Sequence, residues 1–122
     1  KRAGVTPGRD YAALTNILTS SWSGKTVSEY KKLKGLRNEN LRDNMTNTEL
    51  VLNQLAEIST TEISRATNPK GYTGAKSATL AGGKIAANAR KELEAQLGKS
   101  VISPLNATSP KLLDDSDKHG TV

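Results

Sequence analysis

Residues 25–66 read KTVSEYKKLKGLRNENLRDNMTNTELVLNQLAEISTTEISRA. Near the middle, Thr46 and Glu49 form a T-x-x-E capping box. In such a box the hydroxyl and the carboxylate each satisfy a free backbone N–H at a helix start. Downstream, Leu52, Leu55, Ser59 and Ile63 line one helical face, and Leu50, Val51 and Ile58 widen the apolar arc. An arc this broad predicts a central helix touched from two sides, ended by Asn68-Pro69-Lys70-Gly71. Charge changes sign around it. Residues 25–42 hold six basic and two acidic side chains, net +4. Residues 43–64 hold Asp43, Glu49, Glu57 and Glu62 with no base, net −4. Residues 65–91 hold six bases and no acid, net +6.

Working outward, Thr6-Pro7 is a helix start, a capping hydroxyl before a proline at the first helical position. Tyr11, Leu14, Leu18 and Trp22 recur at helical spacing to about residue 22, where Ser23-Gly24 ends the pattern. Ser28 is placed to cap a short second helix carrying Tyr30, Leu33 and Leu36, with Gly35 near its end. Residues 38–45 read as a polar connector with Leu41 and Met45 turned inward. A fourth helix spans about 74–97 with a seam of Ala78, Ala81, Gly82, Ile85, Ala89, Leu93 and Leu97, and Gly98 stops it. Gly82-Gly83 costs about 1 kcal/mol per glycine against alanine, so a kink or break is expected there. Beyond Val101-Ile102 the chain turns rich in proline, serine and aspartate, and from about residue 106 disorder is expected. The predicted fold is all-α, a small bundle of about four helices over residues 1–105 with a flexible tail at 106–122. Lys1–Val5 reads as the end of an earlier helix with Gly4 as its stop, so the chain is expected to be the C-terminal half of a longer protein.

The 122 residues carry a net charge of +6 and a sequence pI near 9.7, which favours polyanionic partners. Apolar content is 34% with no Phe, and the aromatics are Trp22, Tyr11, Tyr30 and Tyr72. The core must come from Leu, Ile, Val and Ala. Such a thin core predicts reliance on oligomerisation or on a neighbouring domain. Absence of cysteine excludes disulfides and thiolate metal sites. No apolar run approaches the ~20 residues of a membrane span, and no signal peptide is visible. A cytoplasmic location without membrane attachment is expected.

Catalytic patterns fail one by one. His119 is the only histidine and lies near the C-terminus, which reads as a tag remnant or solvated tail, and Asp114, Asp115 and Asp117 read as a solvated acidic tail. Gly24-Lys25-Thr26 has a P-loop ending, but the required first glycine is Thr19. Gly83-Lys84 is followed by Ile85, which has no hydroxyl for magnesium. No enzyme, metal or cofactor is expected. The strongest candidate is the basic stretch Lys31, Lys32, Lys34, Arg37 and Arg42, whose spacing suits phosphate neutralisation, with Tyr30 beside it to stack on a base. The competing reading is a solvated face, or pairing with the acidic helix that follows. Lys84, Arg90 and Lys91 form a sparser second cluster, diluted by Glu92 and Glu94. Trp22 continues an apolar stripe and is assigned to the core.

Three segments also carry a resemblance: DYAALTN (10–16), KGLR (34–37) and NMTNTEL (44–50). In this order and spacing they resemble the C-terminal half of DNA-damage-inducible protein D and its prophage-encoded relatives, over about Ala3 to residue 105. The MTNTEL block matches the family's M-G-S-T-E-L style of capping box. The resemblance implies an upstream BRO-like domain and a bacterial SOS-response role, acting on DNA or on a RecA-type recombinase filament. It brings no catalytic residues. The expected function is therefore non-enzymatic nucleic-acid or filament binding, with nucleoid association, through the eight cations Lys31, Lys32, Lys34, Arg37, Arg42, Lys84, Arg90 and Lys91. The alternative is an oligomerisation or protein-interaction module. There the acidic helix meets a basic partner and the small-residue seam forms a homo-oligomer, or the chain acts as a prophage antirepressor on a phage repressor.

Overall fold

A computed structural model describes residues 9–105; the expected Thr6-Pro7 cap, Gly4, His119 and the tail from 106 lie outside them. Among the described residues four α-helices form the all-α bundle: α1 (Arg9–Ser23), α2 (Val27–Leu33), α3 (Asn47–Thr67) and α4 (Gly71–Leu97). A 3₁₀ turn (Arg42–Asn44) links α2 to α3. Among the described residues there is no strand.

The capping box at Thr46 and Glu49 is present, with both reciprocal hydrogen bonds made. A second box stands at the start of α2. Thr26, not Ser28, is its cap, and Glu29 closes the pair. That puts Ser28 inside the first turn. Gly35, at φ +72°, ends α2: its N–H and that of Leu36 turn back onto the carbonyls of Lys32 and Lys31. Such a reversal needs a left-handed residue, which glycine supplies at least cost. Leu41 and Met45 are buried as the connector pattern predicts.

The centre of the bundle is α4, not the capping-box helix. It packs against both α1 and α3, which touch one another far less. Gly82 and Gly83 make this possible without a break, for α4 runs unbroken through both. A methyl at Gly82 would stand 2.6 Å from the backbone nitrogen of Thr60 on α3. One at Gly83 would stand 2.7 Å from Ser21 Cβ on α1. Successive glycines thus seat two different helices at backbone distance. The expected seam holds in part: Ala78 and Gly82 are buried and Ala89 and Leu93 pack against the core, while Ala81, Ile85 and Leu97 face outward. Ala78, Thr79, Gly82, Gly83, Ala86 and Ala87 are buried, whereas Ile85 and Leu97 are 45% and 50% exposed.

Trp22, Tyr30, Leu52, Ala56 and Ala86 belong to the core, joined by Val101 and Ile102 from the segment after α4. Trp22 is fully buried as expected; its ring meets Tyr30 edge to face at 6.3 Å, and its Nε1 donates to Asn53 Oδ1 at 3.0 Å. Tyr11, by contrast, is 61% exposed. The buried residues of α1 all lie in its second half, so its first turns run past the core.

Candidate nucleic-acid interface

The eight expected cations divide into two groups. Lys34, at the C-terminal cap of α2, has a fully buried side chain paired with the equally buried Glu49, Nζ to Oε1 at 2.7 Å. Its ammonium also donates to the carbonyls of Ser103, at 2.8 Å, and Leu105. All three of its donors are therefore used, and Lys34 is a structural cation rather than a phosphate contact. Arg42 reaches across to Glu57 on α3 at 2.5 Å. Arg90 donates through Nε to the Trp22 carbonyl at 2.7 Å and pairs with Glu94 at 2.9 Å. It thereby places a cation on the C-terminal end of α1, where helix carbonyls concentrate negative potential.

The remaining five stand outside these ion pairs, though Lys31 lies near enough to Glu39 to help lower its carboxyl. Lys32, Arg37, Lys84 and Lys91 are exposed and Lys31 is partly so. None of the five side chains forms an ion pair among the described residues. Lys31 and Lys32 lie on the last turn of α2, and Arg37 follows its glycine stop. The Arg37 backbone N–H donates to Glu39 Oε1 at 2.7 Å, and this hydrogen bond leads in holding the Glu39 carboxyl below its ordinary value.

Tyr30 does not stand beside these cations as a stacking surface. It is fully buried and donates its hydroxyl to Glu49 Oε2 at 2.7 Å. Burial, then the bond to Glu49, pushes its phenol well above the ordinary range. The acidic helix is largely neutralised from within: Glu49 by Lys34, Glu57 by Arg42, Glu62 by Arg65. Intramolecular pairing between the basic and acidic segments is thus real, but it engages only Lys34 and Arg42 of the first cluster.

A half-open cleft of about 310 Å³ lies between α1, α2, the 3₁₀ turn and α3. Leu18, Val27, Leu41 and Met45 supply its apolar lining, with Lys31 and the Arg42–Glu57 pair beside them. A shallower depression continues it along α1, sharing Thr15, Leu18 and Glu57 and including the exposed Tyr11. Sequence reasoning did not foresee this cleft. Its walls come from α1, α2, the 3₁₀ turn and α3, segments far apart in the chain that only folding brings together.

Among the described residues no cluster of three or more histidine or acidic side chains is arranged to hold a metal ion. No described helix is long and apolar enough to cross a membrane. Compared with protein-family models, with curated proteins and with solved structures, the chain finds no match in any of the three.

Proposed function

We propose that this chain is a non-enzymatic nucleic-acid-binding module of the DNA-damage response, acting on DNA or on a recombinase–DNA filament as the resemblance to DNA-damage-inducible protein D implies. The observation that carries this reading is the row Lys31, Lys32 and Arg37, whose side chains have no ion-pair partner while the acids of α3 are matched within the fold. Cations left unpaired beside a neutralised helix give a surface on which phosphates displace counterions at little electrostatic cost. Lys84 and Lys91 add two further exposed cations on α4.

The test is fluorescence anisotropy with single- and double-stranded DNA across a salt series. Three phosphate contacts to a single strand predict a logarithmic salt slope of roughly −2. Reversing Lys31, Lys32 and Arg37 to glutamate abolishes binding, while the fold is retained because none of the three is buried. Lys34 is left intact, since its loss would report on stability. Absence of binding by the parent at low salt would overturn the reading.

One observation favours a second reading as a protein-interaction or homo-oligomerisation module. Val51 and Ile58, two turns apart on α3, are 61% and 60% exposed. A recombinase, a phage repressor or a second copy would cover them. Sedimentation velocity with Val51→Asp and Ile58→Asp reports on the last case: a concentration-dependent mass lost in the variants supports it. The version in which the acidic charge of α3 meets a basic partner is weakened, because that charge is already spent on Lys34, Arg42 and Arg65.

A further inference from the structure

We infer that the cleft between α1, α2 and α3 is a nucleobase site, so that the module prefers single strands, whose bases are free to leave the stack, over duplex. This rests on the nucleic-acid reading above and specifies its ligand.

Lys31 joins the two surfaces. It belongs to the unpaired cationic row with Lys32 and Arg37, and it also lines the cleft. A backbone phosphate held by Lys31 therefore presents its own base to the cleft mouth. At about 310 Å³ the cleft is at the small end of ligand pockets. It combines an apolar lining, suited to a ring face, with polar groups that lack partners. Neither the Thr15 hydroxyl nor the Lys31 ammonium has a hydrogen-bonding partner among the described residues. The one carboxylate in the wall, Glu57, is held by Arg42 at 2.5 Å and also accepts from Asn53, so it presents no unmatched charge to a passing phosphate.

The direction of the strand follows from the continuation. Past Thr15 and Leu18 the cleft opens into the depression that includes Tyr11. A tyrosine 61% exposed contributes little to the core, and its ring suits stacking by the next base. Cations, cleft and tyrosine thus form one track across α2 and along α1. A paired base cannot enter it.

The experiment compares a short single-stranded oligonucleotide with an abasic oligonucleotide of the same length and charge, and with duplex. The intact strand is expected to bind about tenfold tighter or more, as base–aromatic and base–apolar contacts imply. Duplex and abasic strand should bind alike, through phosphates alone. Tyr11→Ala and Thr15→Met, the latter laying an uncharged chain across the cleft mouth, should bring the intact strand down to the abasic level and leave abasic binding unchanged. Both positions are exposed, so the fold tolerates them. Equal binding of intact and abasic strands would overturn the nucleobase site and leave the polyanion reading standing. A difference that survives both variants would likewise overturn it. No binding of any probe at low salt would overturn both.

Discussion

Glu49 closes a helix cap, neutralises a buried lysine and holds a distant segment of chain with one carboxylate. Its Oε1 accepts from the Thr46 N–H at 2.8 Å and from Lys34, and its Oε2 accepts from Tyr30 and from the Ser103 N–H at 3.1 Å. Four donors saturate the lone-pair sites of a carboxylate, and Lys34 is saturated in turn. The pair tolerates complete burial for that reason, since a buried charge short of partners would be expelled or neutralised. Its net worth against a hydrophobic pair of equal size is small, but removing one member strands the other. Glu49→Gln should therefore destabilise the fold by roughly 3–5 kcal/mol, because the Lys34 ammonium stays buried without its counter-charge. Urea unfolding measures this, and a midpoint close to the parent's would refute the account.

At the scale of elements, α4 organises the bundle through its smallest residues. In most exposed helices Gly→Ala is stabilising by about 1 kcal/mol. At Gly82 the new methyl would meet backbone atoms of Thr60, at 2.6 and 2.8 Å, which have nowhere to rotate. Overpacking of that kind costs about 1–3 kcal/mol or more, so Gly82→Ala should lower stability despite its gain in helix propensity. An unchanged or raised denaturation midpoint would mean that α3 can retreat from α4. The same close approach encloses the Thr60 hydroxyl, which is buried with no hydrogen-bond partner. Both α2 and α3 begin with a T-x-x-E box, yet the two boxes differ in fate. Glu29 of the first is exposed, and Glu49 of the second is at the heart of the molecule.

Across the whole molecule, the segment after α4 works as a strap. Val101 and Ile102 enter the core, while Glu94 Oε2 accepts from the Val101 N–H at 2.9 Å and Glu49 accepts from that of Ser103. Burial pulls the Glu94 carboxyl upward, but the Val101 N–H and Arg90 pull it down further, leaving it below its ordinary 4.5. A lowered carboxyl stabilises the fold fully above its unfolded value and loses that contribution as pH falls through the folded one. Stability should accordingly decline below about pH 4.5. Glu94→Gln should be weaker at neutral pH and show a flatter acid limb in chemical denaturation. Parallel acid limbs would assign the decline to other carboxylates.

Helix number, the T46–E49 cap, the stop at Asn68–Gly71, the buried Trp22 and the inward Leu41 and Met45 were all legible in the chain, because each depends on neighbours within one or two turns. What lay beyond local reach was decided by packing. A lysine among lysines gives no local sign that Lys34 alone will be buried, since its partners Glu49, Ser103 and Leu105 come from distant parts of the chain. Tyr11 departs from its reading for a related cause: helical spacing defines a face, but not how far along the helix its neighbours extend, so this member of the apolar stripe is exposed. Tyr30, read both as part of an apolar helix face and as a base-stacking ring, is sealed within. The cleft has no sequence signature at all. Its walls come from α1, α2 and α3, and only the folded chain brings those distant segments side by side.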